Sequence, residues 1–254
     1  MARAMADAAG RPPVFIADRA SLQRDVVVLS GPEGRHAATV RRLRPGERAD
    51  LIDGDGMIAE CVVAAARPGL LELTVRRRHE EPPPQPRICV VQAIPKGDRA
   101  EQAVEMMTEV GVDVIVPWAA ERCVAVWKPA ADRSQRALDR WRSSAREAAK
   151  QSRRARIPEV TEPAGTADVL ARAATAASTI VLEPGAATGL GSVPLPGAGE
   201  IILIVGPEGG VSPAESAAFA AAGAVAARLG PTVLRASTAG TAAAAVLLSR
   251  CGRW

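Results

Sequence analysis

The run Ile201-Ile202-Leu203-Ile204-Val205 empties directly into Gly206-Pro207-Glu208-Gly209-Gly210 and then Val211-Ser212-Pro213, and this junction constrains the fold more than any other stretch. An unbroken apolar run of this length fits a strand covered on both faces, the usual state of strands in a parallel sheet flanked by helices. Ligands on such sheets gather where strands end at their carboxyl edge. Gly206, Gly209 and Gly210 allow close approach of the backbone and positive φ. Ser212, with Pro213 behind it and Glu215 three residues on, has the spacing of a capping box that opens a helix. Farther along, Leu229-Gly230-Pro231-Thr232-Val233-Leu234-Arg235 repeats the theme of a glycine turn before the alanine-rich segment 236–248. Two neighbouring strand-end loops would form one pocket, although a plain strand-to-helix turn fits the same letters.

The letters Gly-Pro-Glu-Gly also occur at Gly31 to Gly34, in a different context. There they follow Val26 to Ser30 and lead into the basic segment Arg35 to Arg44, which stops at Pro45-Gly46. Ser30 and Glu33 stand in capping-box spacing, so a turn and helix start is expected at this copy.

Composition narrows the function classes. The 254 residues hold no apolar run of membrane-spanning length, and residues 1–13 form a loose polar and alanine-rich start without the apolar centre of a secretory signal. A soluble cytoplasmic protein is expected. Cys61, Cys89, Cys123 and Cys251 are dispersed, so neither a zinc cluster nor a disulfide framework is indicated. Tyrosine is absent and phenylalanine is limited to Phe15 and Phe219, which argues against reading single-stranded bases mainly by aromatic stacking.

The net charge of +4 is mild, but arginines crowd the stretch from Arg133 to Arg156. Ala137, Leu138, Trp141, Ala145, Ala148 and Ala149 recur at helical spacing within it, leaving an arginine-rich opposite face. That face is either simply solvated or a contact surface for a phosphate backbone, with Arg35, Arg41, Arg42 and Arg44 as a second basic patch.

The clearest boundary is Glu80-Glu81-Pro82-Pro83-Pro84-Gln85-Pro86, whose prolines favour an extended spacer. Before it, short β-like runs and the turn Asp53-Gly54-Asp55-Gly56 suggest a small β-rich domain over residues 1–80. After a linker over 81–86, strands and helices alternate through 87–254, the pattern of an α/β domain with a mainly parallel sheet. His36 and His79 have no catalytic spacing. His36 suits either a surface contact or a core hydrogen bond, and His79 falls at the approach to the linker.

Ordered across both domains, these segments resemble the bacterial 16S ribosomal RNA methyltransferases that modify N3 of a uridine, members of the knotted SPOUT superfamily. The resemblance runs from Leu29-Ser30 through His36 and Arg41 to Glu47, then Asp53-Gly54, Lys96-Gly97-Asp98, Thr108 to Val112, Ile115 to Pro117 and Glu121-Arg122. It continues through Trp141, Glu147 to Ser152 with Arg154, Ile157 to Glu159, Gly206 to Gly210, Leu229-Gly230, Leu234-Arg235 and Thr238-Ala239. It implies an N-terminal PUA-like RNA-binding domain and a C-terminal S-adenosylmethionine-dependent domain with a deep trefoil knot. It also implies a homodimer acting on 16S RNA or the small ribosomal subunit, with no metal and no membrane.

In such enzymes three loops hold the cofactor. Here they map to Leu182, Glu183 and Pro184, to Gly206, Pro207, Glu208, Gly209 and Gly210, and to Leu229, Gly230, Val233 and Leu234. Arg235 is a candidate to stabilise the anion that develops on the uracil, or else to bind a carboxylate or RNA phosphate. Glu208 is a candidate base, or else an organiser of its own loop. RNA-facing candidates are Arg35, His36, Arg41, Arg42, Arg44, Lys96, Arg122, Lys150, Arg153 and Arg154. Ser237 stands where a glutamate is usual, Met106 and Met107 where a Gln-Lys pair is common, and Arg99 where an apolar residue is. A related knotted enzyme acting on another RNA position, or a non-catalytic ribosome-assembly factor, are the competing readings.

Overall fold

The computed structural model describes residues 11–95, 99–124, 127 and 132–254. Lys96 lies outside the described residues. The chain packs as two compact units, one formed by residues up to 83 together with 149–157, the other by 84–148 with 158–254.

In the first unit, strands β1 (Val14–Ile16), β2 (Val26–Leu29), β3 (Arg48–Ile52), β4 (Met57–Arg67) and β5 (Leu70–Glu80) form a sheet in the order β1-β3-β4-β5-β2. β1 runs parallel to β3 and the other pairs are antiparallel. β2 alternates exposed and buried residues, as expected of a strand with one wet face. Phe15, Leu22, Val27, Leu29, Leu51, Val63, Leu71 and Leu73 make the core under this sheet. Helix α1 (Arg19–Leu22) is capped by Asp18, whose carboxylate accepts the Ser21 N–H at 2.8 Å.

Helix α2 (Gly31–Arg35) begins where the early Gly-Pro-Glu-Gly predicts, and a π-turn over His36–Val40 continues it. Gly34 is required there, because a Cβ would lie 2.5 Å from the Gly69 carbonyl oxygen. The expected capping box does not form: Ser30 makes no side-chain cap bond. Glu33 instead accepts the Ile16 N–H at 3.3 Å and the Lys150 ammonium at 2.9 Å. The helical segment stops at Val40, short of Arg44, and Arg42 adopts a left-handed backbone, φ 55°.

Residues 149–157 join this unit although their place in sequence suggests the other. Lys150 meets Glu33 across 117 residues, the Ile157 N–H donates to the Gly54 carbonyl at 2.9 Å, and Arg156 donates to Asp55 at 2.6 Å. His79 is the next-to-last residue of β5, at the approach to the linker, and its Nδ1 lies 3.8 Å from Glu60.

The second unit is a six-stranded sheet in the order β11-β9-β10-β6-β7-β8, built from β6 (Arg87–Ala93), β7 (Val114–Trp118), β8 (Glu159–Val160), β9 (Ser178–Leu182), β10 (Glu200–Val205) and β11 (Val225–Ala227). Every neighbouring pair is parallel. Ile201 to Val205 are at most 2% exposed, which is why the run is apolar throughout.

Helices α3 (Arg99–Val110), α4 (Asp132–Ser152), α5 (Thr166–Ala173), α6 (Pro213–Ala221) and α7 (Ala236–Arg250) connect and cover the strands. α3 buries Ala100, Ala103, Val104 and Met107, one face at helical spacing. α7 packs against α3, β6 and β10, with Gly240 so close that a Cβ would lie 3.0 Å from Gln92 Oε1 and 3.2 Å from Met107 Sδ. Its small residues therefore serve an internal core. α4 buries Ala137, Leu138, Trp141, Ala145, Ala148 and Ala149, and two arginines of its polar face hold carboxylates, Arg140 on Glu101 at 2.8 Å and Arg142 on Glu162 at 2.7 Å.

Candidate functional site

Because β11, β9 and β10 are adjacent and parallel, their carboxyl ends open on one edge of the sheet. The loops that leave them enclose a cavity of about 560 Å³, within the range of small-molecule sites. Leu182, Glu183 and Pro184 line it after β9. Gly206, Pro207, Glu208, Gly210 and Val211 line it after β10, and Leu229, Gly230, Thr232, Val233, Leu234 and Arg235 after β11. Of the cofactor residues inferred from sequence, all but Gly209 line the cavity. Gly209 faces Arg122, whose guanidinium donates to the Gly209 carbonyl at 3.0 Å.

The loop after β10 depends on its glycines at two points. A Cβ on Gly206 would meet Val211 Cγ2 at 2.8 Å, so glycine lets the chain fold back on itself there. Gly210 has φ 72°, and its N–H closes a turn on the Pro207 carbonyl at 2.8 Å. The next helix opens with the expected capping box: the Ser212 hydroxyl accepts the Glu215 N–H at 3.2 Å, and Glu215 accepts the Ser212 N–H at 3.1 Å.

Glu215 does more than cap. Its other carboxylate oxygen accepts the Glu121 N–H and the Thr166 hydroxyl, each at 2.9 Å. The carboxylate is buried, which by itself would raise its pKa, yet the bonds from Glu121, Ser212 and Thr166 outweigh burial and hold the pKa below its ordinary value. It ties the segment that carries Arg122 to the start of α6.

The loop after β9 is fastened from the neighbouring strand. Glu183 N–H donates to the Ala227 carbonyl at 3.0 Å, and the Arg228 guanidinium donates to the carbonyls of Ala186 and Ala187. The Arg228 backbone pairs with Thr188 and Leu190 as well. Sequence reasoning did not single out Arg228, since its partners are all main-chain carbonyls.

Glu208 and Arg235 are both exposed on the cavity wall. Arg235 stands at the N-cap of α7, where its carbonyl accepts the N–H groups of Thr238 and Ala239 at 2.9 Å. Ser237, in the place of the usual glutamate, is 6% exposed and lines the cavity, as do Arg99 and Ala239. Arg99 was noted only as a departure from pattern, and its position here explains how a cation there reaches the site.

The RNA-facing candidates divide. Arg35, Arg41, Arg42 and Arg44 are exposed on the first unit, while His36, Arg153 and Arg154 are half-buried in it. Lys150 is corrected: it is 6% exposed and ion-paired to Glu33, because it follows the buried Ala148 and Ala149 at the last turn of α4. Arg122 lies in the second unit on the cavity wall. Among the described residues no group of three or more His, Cys, Asp and Glu side chains could hold a metal ion, and no helix is long and apolar enough to cross a membrane.

Comparison with known proteins places the chain among its relatives. A family model described as an RNA methyltransferase domain matches residues 81–248, and one described as an RNA methyltransferase PUA domain matches residues 29–76. The chain is 48% identical over 233 residues to the ribosomal RNA small subunit methyltransferase E of Mycobacterium bovis, covering 90% of this chain and 88% of that protein. It is 26% identical over 219 residues to the protein of the same name in Bacillus subtilis, covering 83% and 85%. Among solved structures, the ribosomal RNA small subunit methyltransferase E of Neisseria gonorrhoeae bound to S-adenosyl methionine superposes with a TM-score of 0.83 at 28% identity, over 94% of this chain and 98% of that one.

Proposed function

The chain belongs to the RNA methyltransferase family, and from that premise we propose that it transfers a methyl group from S-adenosylmethionine to N3 of a uridine in the 16S RNA of the small ribosomal subunit. The observation that carries the reading is the cavity at the carboxyl ends of β9, β10 and β11, walled by three loops of the kinds expected to hold that cofactor.

The residues present fit it. Leu182, Leu229, Val233 and Leu234 offer apolar wall to an adenine ring and carbon chain, while the loop backbones offer amides and carbonyls to its polar edges. A Cβ at Gly230 would meet nothing within 4 Å, so glycine there leaves open space against the loop. When bound, S-adenosylmethionine supplies a methyl group that its positive sulfur makes electrophilic.

The protein's part is then to align the uracil and stabilise its N3 anion. Arg235, on the cavity wall, is placed to offset negative charge on a uracil carbonyl oxygen. Glu208, also on the wall, accepts the N3 proton directly or through a water. The reading includes a homodimer, a trefoil knot in the second unit and a cytoplasmic location, where small-subunit RNA is found.

The test is incubation with methyl-labelled S-adenosylmethionine and small subunits from a strain lacking this activity, followed by mass spectrometry of the nucleosides. Label at N3 of one uridine is the expected result. Label on a ribose oxygen assigns the chain to another reaction, and absence of both label and cofactor binding overturns the enzyme reading.

A further inference from the structure

The first unit holds a second, smaller cavity of about 40 Å³, lined by Pro13, Phe15, His36, Arg41, Lys150 and Arg153 among others. A buried water needs roughly 10–15 Å³, so the space suits one tetrahedral oxyanion group. Its polar lining is cationic or protonatable apart from Gln151. Lys150 is already ion-paired to Glu33 at 2.9 Å, whereas neither Arg41 nor Arg153 has a carboxylate partner within ion-pair distance among the described residues.

Three local features mark this cavity. The His36 ring stands edge-on to Phe15, centroids 5.7 Å apart, which fixes its plane. His36 opens a π-turn, a local distortion that recurs at functional positions. Arg153 follows the last residue of α4 with φ 61°, a conformation glycine adopts far more readily, yet an arginine occupies it and lines the cavity.

We propose that this cavity seats one phosphodiester group of the RNA backbone, clamped by Arg41 and Arg153 with His36 donating a hydrogen bond. Guanidinium groups match phosphate oxygens in fixed two-pronged geometry, and a contact of this kind sets the position of the strand without reading its sequence. That the phosphate belongs to RNA rests on the methyltransferase reading. The same chemistry would accept free inorganic phosphate, and the experiment separates the two.

The chain has only two histidines, His36 and His79, so the ring Cε1–H signals in an NMR spectrum of the full-length protein are assignable with a His79→Gln variant. Inorganic phosphate and a short oligouridylate are titrated separately. The His36 signal is expected to move with oligouridylate while His79 does not, and to stay still in Arg41→Gln/Arg153→Gly. The Arg153→Gly change suits the left-handed backbone and Arg41 is exposed, so an unchanged or raised Tm in the double variant shows that loss of the response is not unfolding. The log–log salt dependence of small-subunit RNA binding should become shallower by about 0.7–0.9 in the double variant, the loss of one phosphate contact.

A His36 signal unmoved by both probes overturns the proposal. Movement with phosphate but not with oligouridylate overturns the RNA assignment, as does an unchanged salt slope. If His36 responds to oligouridylate and the protein still fails to methylate small-subunit RNA, the methyltransferase reading fails and the phosphate subsite stands.

Discussion

The carboxylate of Glu215 accepts the backbone N–H of Glu121 at 2.9 Å across 94 residues of sequence. Through that bond the start of α6, which follows the glycine loop, holds in place the segment whose next residue, Arg122, reaches over to the Gly209 carbonyl. One side chain thus couples two walls of the large cavity.

Glu215→Ala should cost about 1–2 kcal/mol of stability through the lost cap and hydrogen bonds, measured by denaturant unfolding. Since the folded pKa is depressed, the carboxylate's contribution is present above the ordinary glutamate range and lost as pH falls through the folded value. The gap between parent and variant should therefore narrow in acid, and a constant gap would contradict the assignment. The KM for S-adenosylmethionine should rise in parallel.

Arg235→Ala should lower the single-turnover rate of methyl transfer by about 10²–10³-fold, the usual cost of removing a group that stabilises developing negative charge. Cofactor affinity, measured by calorimetry, should change little. Equal single-turnover rates would remove Arg235 from the chemistry.

Gly206→Ala should weaken cofactor binding while leaving the sheet intact, because the new methyl would crowd Val211 Cγ2, 2.8 Å away. Strain of this kind costs about 1–3 kcal/mol. Adding Val211→Ala removes the nearest obstacle and should restore part of the affinity. Failure of the second change to help would mean that the clash with the Val211 and Gly210 backbone decides.

Asp50 gives a pH signature in the first unit. Burial pushes its carboxyl up to about 6, and its Oδ1 is buried without a hydrogen-bond partner among the described residues. Below about 4 both folded and unfolded chains hold the proton. Between about 4 and 6 only the folded chain does, so stability falls as pH rises and the full penalty is present above 6. Asp50→Asn should be more stable than the parent at neutral pH, with the advantage gone near pH 4. A pH-independent difference in Tm would refute this.

These residues also show where sequence stops being informative. The strand Ile201 to Val205 and the Ser212–Glu215 box were legible, because double-sided burial demands an apolar run and capping is a matter of local spacing. The loops at Gly206 to Gly210 and Leu229 to Arg235, and the pocket they share, were legible as glycine turns at strand ends; the loop at Leu182 to Pro184 came from resemblance alone, and its place in the same cavity needed the order β11-β9-β10, which no local signal encodes. Ser30 and Glu33 have the same spacing as Ser212 and Glu215, yet Glu33 serves Ile16 and Lys150 instead. Local pattern cannot weigh a cap against a partner that arrives 117 residues later. Lys150 looked like part of an exposed basic face for the same reason, and Arg228 stayed invisible because it grips main-chain carbonyls, which leave no mark in the letters.

The position of β10 bears on how the protein is made. It lies between β9 and β6, with Ile201 beside both Ser178 and Ile88. While the chain emerges from the ribosome, β6 and β7 can pair early, but β9 has no neighbour on either side until β10 or β11 has been synthesised. The apolar edge of β6 that β10 covers waits longer still, from residue 93 until residue 200 is made, a stage that favours chaperone engagement and penalises pauses in that interval.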